Sequence, residues 1–183
     1  AMAALLGLDF ATAQTVAAEA AQGDVCQAAN DNDPSQVVVS GHKAAVERAV
    51  ELAKAAGAKR AMLLPVSAPF HCALMAPAAD VMAEALASVE INAPAVPLVA
   101  NVSAEALSDP VMIRALLVEQ VTGSVRWRES VLYMGETHGI SEIWEIGAGK
   151  ALSGMVRRIN KDIACRNIGT PEDIAGALEA LNG

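Results

Sequence analysis

His71 is the residue whose surroundings most favour chemistry. Pro69 fixes the backbone just before it, and this stretch joins two regions of different organisation. Clefts form at such junctions and histidine is the commonest general base, so the sequence predicts proton transfer at His71. The alternative is a histidine that only hydrogen-bonds the backbone. Because adjacent side chains usually point apart, we expect Cys72 to be a small packed residue rather than half of a Cys–His nucleophilic pair.

The other candidate motifs match neither a phosphate site nor a serine nucleophile. Residues 147–150 (GAGK) follow a predicted strand and open a predicted helix. A dinucleotide-binding fingerprint needs a glycine where Leu152 stands, and a Walker loop needs one where Trp144 stands. The stretch therefore predicts a tight turn, with close backbone packing that only glycine permits. The sequence contains no G-x-S-x-G nucleophile elbow.

Composition excludes several classes of protein. Of the 183 residues, 54% are hydrophobic and 19% are charged, which is enough for a packed core. The net charge of −8 argues against nucleic-acid binding, because phosphate neutralisation needs clustered Lys and Arg. The histidines lack the spacing of metal ligands, and three dispersed cysteines indicate free thiols in a reducing, cytoplasmic compartment. No apolar run reaches the ~18 residues of a membrane span, and no signal peptide is recognisable.

The first third of the chain predicts a βαββαβ unit. Strands are expected at 1–6, 25–29, 36–39 and 61–66, helices at 10–21 and 43–56, and a polar turn-forming connection at 30–35. This order is that of a ferredoxin-like fold. The apolar opening at 1–7 (AMAALLG) leads us to expect a piece of a longer protein that enters a strand directly.

The remainder alternates strands with helices. Helices are expected at 74–89, 110–120, 127–137, 150–159 and after Thr170, and strands at 96–100, 143–146 and 163–168. Such alternation predicts a parallel sheet with helices on its faces. We therefore expect an α/β protein with a ferredoxin-like small subdomain at 1–66 and, at 67–183, part of a larger parallel-sheet subdomain.

Several ordered segments resemble one enzyme family. Residues 67–75 (SAPFHCALM) resemble the active-site histidine segment of malonyl-CoA:acyl carrier protein transacylases. Residues 29–41 (ANDNDPSQVVVSG), 120–127 (QVTGSVRW) and 144–152 (WEIGAGKAL) resemble further segments of that family in the same order, and 1–8 (AMAALLGL) resembles the first strand of its small subdomain. The resemblance covers nearly the whole chain.

The resemblance implies a ping-pong acyl transfer. A serine takes the malonyl group from coenzyme A, and the phosphopantetheine thiol of acyl carrier protein then collects it. His71 is implied as the base, oriented by a backbone carbonyl at the position that aligns with His138. Asn30 and Asn32 are implied to lie by the substrate cleft, and the bulk of Phe70 resembles the pattern of malonyl-selective relatives.

The chain also departs from the family pattern. Asp33, Ser35 and Ala148 stand where serine, glycine and proline are usual. The nucleophile elbow, the arginine that pairs with the malonyl carboxylate and the oxyanion contact lie upstream in the family. The resemblance is therefore to the C-terminal part: the ferredoxin-like subdomain plus part of an α/β hydrolase-like subdomain.

From this resemblance we expect a malonyltransferase of fatty-acid synthesis that needs no cofactor. Its partners would be acyl carrier protein, a coenzyme A thioester and the missing N-terminal part, without which these residues should be inactive. Two alternatives stay open at this point. One is the acyltransferase domain of a larger synthase, and the other is a non-catalytic ferredoxin-like binding module.

Overall fold

An antiparallel four-stranded sheet organises the first part of the chain. The computed structural model describes residues 1–182. They divide into two units, Ala1–Ser130 and the residues from Val131 onward. The first unit begins with β1 (Met2–Leu6), α1 (Phe10–Ala21), β2 (Cys26–Asp33), β3 (Gln36–Gly41), α2 (Lys43–Ala55) and β4 (Arg60–Leu63). The strands lie in the order β2-β3-β1-β4, and each neighbouring pair is antiparallel. The predicted ferredoxin-like unit is confirmed.

The core of this unit lies between one face of the sheet and the two helices. Alternation along the strands turns Leu5, Val37 and Val39 towards the helices, and all three are fully buried. The helices meet them with small residues, chiefly Ala13, Ala17, Ala20, Val46, Ala49 and Ala53. Because these side chains are short, the core needs few aromatic residues. Asp9 is the N-cap of α1, since its carboxylate accepts from Thr12 N at 2.8 Å.

Strand β2 is longer than the sequence predicts. We expected residues 30–33 in a polar connection, but they belong to the strand, and only Pro34 and Ser35 form the turn. Two shifts in the register with β3 accommodate the extra residues. The carboxylate of Asp33 accepts from the backbone N and the hydroxyl of Ser35, at 2.9 and 3.0 Å. The carboxylates of Asp31 and Asp33 thus find hydrogen-bond partners within the strand conformation.

The rest of the first unit is mainly helical. It comprises a 3₁₀ turn (Ala73–Met75), α3 (Ala76–Ala87), the short strands β5 (Leu98–Val99) and β6 (Ala106–Leu107), α4 (Pro110–Glu119) and the start of α5 (Trp127–His138). The segment before α5 adds to the edge of β2. Val125 N donates to Ala29 O, and Asp31 N donates to Val125 O, each at 2.8 Å.

A buried ion pair joins β2 to α5. The Asp31 side chain is 1% exposed, and both its oxygens lie 3.0 Å from Arg128 Nε. Arg128 Nη2 is 2.8 Å from one of these oxygens. A buried carboxylate without a partner is costly, so the first turn of α5, which carries Arg128, depends on this contact.

The second unit contains a parallel strand–helix–strand motif. It includes β7 (Glu142–Ile146), α6 (Ala151–Ile159), β8 (Ala164–Ile168) and α7 (Pro171–Asn182). The two strands pair in parallel from Glu142 opposite Ala164 to Ile146 opposite Ile168. The predicted parallel pairing is confirmed for these two strands. The third predicted strand, at 96–100, is instead the short β5, which pairs antiparallel with β6. In the described part of the chain no helix is both long and apolar enough to cross a membrane.

Glu145 holds the turn between β7 and α6. Its carboxylate accepts from Leu152 N at 3.0 Å, from Ser153 N at 2.7 Å and from Ser153 Oγ at 2.6 Å. These bonds, led by the Ser153 hydroxyl, hold the pKa of Glu145 below its usual range. Gly147 and Gly149 adopt φ of 133° and 97°, and nothing lies within 4 Å of an added Cβ. The glycines are thus needed for their backbone angles and not, as we expected, for close packing.

The buried ion pair predicts a large effect of removing one partner. We expect Arg128→Met to lower the free energy of unfolding by about 3–5 kcal/mol, because Asp31 is left buried and unpaired. The matched control is Lys54→Met, which breaks the exposed pair with Glu51 and should cost at most about 1 kcal/mol. Denaturant unfolding measures both. Equal losses in the two variants would contradict a special role for the Asp31–Arg128 pair.

The Glu145 contacts predict a pH-dependent stability. A carboxylate whose folded pKa is lowered stabilises the fold above its unfolded pKa of about 4.3, and this stabilisation disappears as the pH falls through the folded value. We therefore expect Glu145→Gln to lower Tm by several degrees at neutral pH and by progressively less below about pH 4. Glu142→Gln, at an exposed position, is the control. A Tm difference that stays constant over the acid range would refute the explanation.

Candidate functional site

The backbone of His71 adopts an unusual conformation. The residue lies in the irregular segment between β4 and the 3₁₀ turn, with a φ of 58°. Residues other than glycine rarely adopt this left-handed region, and a strained residue of this kind persists only when its surroundings hold it. Such residues cluster at functional sites, so the conformation supports the candidate that the sequence predicts.

The imidazole of His71 is oriented by the end of a helix. Its Nδ1 lies 3.0 Å from the carbonyl oxygen of Gln120, the C-cap residue of α4. Carbonyls in the last turn of a helix have no partner within the helix and are free to accept. A carbonyl oxygen can only accept, so Nδ1 must carry the proton. In the neutral ring the lone pair is then on Nε2, which is the nitrogen that can act as a base.

The orienting carbonyl differs from the one that the resemblance implies. We expected the backbone at His138, but the carbonyl at His71 belongs to Gln120. The His138 side chain instead packs edge-on against Tyr133, with ring centroids 4.9 Å apart. The hydrogen bond to His71 Nδ1 requires a free carbonyl at a helix end. The sequence does not show which helix end the fold brings to His71. The side chain of Gln120 is itself held, since its Oε1 accepts from Asn101 Nδ2 at 3.4 Å.

Cys72 has the packed role that the sequence predicts. Its side chain is fully buried, and Sγ donates to Pro69 O at 3.2 Å. The thiol therefore bonds to the backbone of its own loop. Burial raises the pKa of the Cys26 thiol to about 11, which makes that thiol unreactive as well. Among the described residues, no group of three or more metal-ligating side chains converges.

Sequence reasoning missed a second contact to the histidine loop. Ala73 N, two residues after His71, donates to the side-chain oxygen of Gln27 at 2.7 Å. Gln27 lies in β2 between Cys26 and Ala28, which both point into the core. Strand alternation therefore turns Gln27 to the opposite face. That alternation was the only signal in the sequence, and it does not identify a partner 46 residues away.

The remaining predicted residues lie near the same strand and loop. Asn30 and Asn32 are half-buried in β2, and neither side chain is hydrogen-bonded to another described residue. Their amides can therefore bind a ligand. Phe70 precedes His71 and is 41% exposed. The structure thus brings Gln27, and through it β2, to the histidine loop, whereas His138 does not orient the histidine.

Residues 1–146 match the family model of the acyl transferase domain. The chain belongs to the acyl transferase domain family. It is 48% identical over 179 residues to the malonyl CoA-acyl carrier protein transacylase of Escherichia coli K12, covering 98% of this chain and 58% of that protein. The enzyme of the same name from Bacillus subtilis is 41% identical over 182 residues, with 99% of this chain and 57% of that protein covered.

Solved structures agree with this acyl transferase assignment. The acyl-carrier-protein-S-malonyltransferase of Bartonella henselae superposes with a TM-score of 0.94 at 53% identity, covering 100% of this chain and 58% of that one. A malonyl-transacylase in complex with a type II PKS acyl-carrier protein gives a TM-score of 0.93 at 41% identity, covering 98% and 58%. The chain thus spans somewhat more than half the length of these relatives. The family resemblance stated from the sequence is confirmed.

Proposed function

We propose that the chain forms the base-bearing part of a malonyl-CoA:acyl carrier protein S-malonyltransferase of cytoplasmic fatty-acid synthesis. The observation that carries this proposal is the strained His71, whose Nδ1 meets the free carbonyl of Gln120 at 3.0 Å. A histidine that merely caps a helix would not need a strained backbone. The donor, malonyl-CoA, and the acceptor, acyl carrier protein, are proposed from the names of the relatives.

The proposed chemistry uses His71 Nε2 twice. It takes the proton of a serine hydroxyl as the serine oxygen attacks the malonyl thioester, and it returns that proton to the leaving thiolate of coenzyme A. The thiol of acyl carrier protein then gives its proton to Nε2 and attacks the acyl-serine, and the serine recovers the proton as it leaves. The first half of the cycle exchanges a thioester for a serine ester, and the second half exchanges that ester for a thioester. Neither half is an oxidation or a reduction, so the transfer needs no cofactor.

The Gln120 carbonyl supports both halves of this cycle. While Nε2 is the base, the bond at Nδ1 keeps the proton on the other nitrogen. When Nε2 has taken a proton, the same oxygen accepts a stronger bond from the cationic ring. A fixed carbonyl thus stabilises the charge that develops on His71 without any further movement.

We place the serine nucleophile in the part of the family's length that these residues do not span. None of the 183 residues lies in a G-x-S-x-G sequence, and Cys72 is buried. We also propose the division into a small subdomain at 1–66 and part of the large subdomain at 67–183. Exposed apolar side chains such as Val96 and Ile146 would be covered by the rest of the family fold.

Substrate contacts are proposed for three residues. The free amides of Asn30 and Asn32 would bind polar groups of the substrate. Phe70 would limit the space for the acyl group, because its partly exposed ring directly precedes the base. A branched acyl group needs more room than a malonyl group, so this ring would favour malonyl.

The first prediction concerns the base. In the full-length protein, His71→Ala should lower the rate of malonyl transfer by about 10²–10⁴-fold, the usual scale for removing a general base. The control is His138→Ala, at an exposed position, which should leave the rate within about threefold of wild type. Radiolabelled malonyl-CoA measures transfer, and circular dichroism verifies folding. Near-normal transfer by a folded His71→Ala protein would refute the assignment.

The second prediction concerns selectivity. A methyl group in a pocket is worth about 1–3 kcal/mol, so Phe70→Ser should reduce the preference for malonyl over methylmalonyl by about 10-fold or more without reversing it. Phe70→Leu keeps most of the bulk and should change the preference less. The measurement is kcat/KM for both thioesters. An unchanged ratio in Phe70→Ser would remove Phe70 from the specificity argument.

A further inference from the structure

We propose that Gln27 is a positioning residue for His71, and that its side-chain oxygen holds the histidine loop in its strained conformation. Gln27 acts on the backbone beyond the histidine and not on the imidazole itself. The inference rests on the proposed function, because it concerns the placement of the same base.

The contact supplies a cap that the loop lacks. Gln27 Oε1 accepts from Ala73 N, the first residue of the 3₁₀ turn, at 2.7 Å. Cys72, at the N-cap position, makes no capping bond with its own side chain. The first N–H groups of a helical turn have no partner within the turn, so Gln27 provides one from a different element.

His71 is therefore held between two tethers. The Gln120 carbonyl fixes the ring, and Gln27 fixes the backbone two residues later. A left-handed histidine relaxes to a commoner conformation unless the chain on both sides is held. Without the tether at Ala73 the loop could relax, and Nε2 would move relative to a serine that must lie within hydrogen-bond reach.

The strand that carries Gln27 is a rigid support. Its neighbours Cys26 and Ala28 are buried in the core. At the start of the strand, β3 approaches so closely that a Cβ on Gly41 would lie 2.0 Å from the carbonyl oxygen of Val25, the residue before β2. Because such a strand is held firmly, the Cα of Gln27 has a fixed position, and its side chain can hold the histidine loop in one place.

The same strand also supports the second tether. The backbone of Val125 pairs with β2 on both sides of Asn30. The next residue, Arg126, donates from its backbone N to Asn101 O at 2.9 Å. The Asn101 amide then donates to the side chain of Gln120. Both tethers of His71 therefore lead back to β2, and the strand fixes the loop and the orienting carbonyl relative to each other.

The test compares two substitutions in the full-length enzyme. Gln27→Met keeps the length of the side chain and removes the acceptor, so kcat for malonyl transfer should fall about 10-fold with KM for malonyl-CoA nearly unchanged. Gln27→Glu keeps an oxygen acceptor and should restore kcat to within about threefold of wild type. Gln14→Met, at an exposed glutamine of α1 near Gln27, is the control and should change neither constant.

An independent readout is hydrogen exchange at the Ala73 amide, followed by NMR. Exchange should accelerate about 10-fold in Gln27→Met and stay slow in Gln27→Glu. Three results would overturn the inference. These are an unchanged kcat in Gln27→Met, a loss of kcat that Gln27→Glu does not restore, and an effect on KM alone. If the wild-type enzyme does not transfer malonyl, the proposed function fails, and an Ala73 exchange rate that is unaffected by Gln27→Met would overturn the tether separately.

Discussion

The hydrogen bond between His71 Nδ1 and the carbonyl oxygen of Gln120 decides which nitrogen of the imidazole can act as a base. The imidazole finds this acceptor only because α4 ends at Gln120, where the last carbonyls of the helix have no partners within the helix. The ring reaches that acceptor only because the loop carries His71 with a positive φ. The proposed chemistry therefore depends on two backbone features, a helix end and a strained residue, more than on neighbouring side chains.

The βαββαβ unit provides the support for this bond. Its sheet is packed on one face by α1 and α2, and β2 lies at one edge. That edge receives the segment before α5 through Val125, and the buried Asp31–Arg128 pair holds the two together. A strand with buried acids would be unfavourable alone, but here its polar groups are the attachment points for the histidine side of the site.

Local patterns in the sequence predicted local structure well. Apolar periodicity gave the order of the first six elements, and the Pro69–Cys72 context singled out His71. The errors concern contacts between distant segments. Gln120 and Gln27 meet the histidine loop across 49 and 46 residues, and no periodicity encodes that approach. Residues 30–33 look like a turn because Asn and Asp favour turns. Only the fold supplies the backbone pairing with β3 and Val125 that keeps this stretch in a strand.

Nitrogen NMR of histidine-labelled full-length protein tests the central claim most directly. When the ring is neutral, the ¹⁵N shifts should show His71 with its proton on Nδ1. His42 is an internal control in which the opposite tautomer is expected. Its Nδ1 accepts from Val25 N at 2.9 Å, so the proton of its neutral ring must be on Nε2. Opposite tautomers at the two residues would support the account. A proton on Nε2 of His71 would contradict it, because that nitrogen could then not accept the proton of a serine.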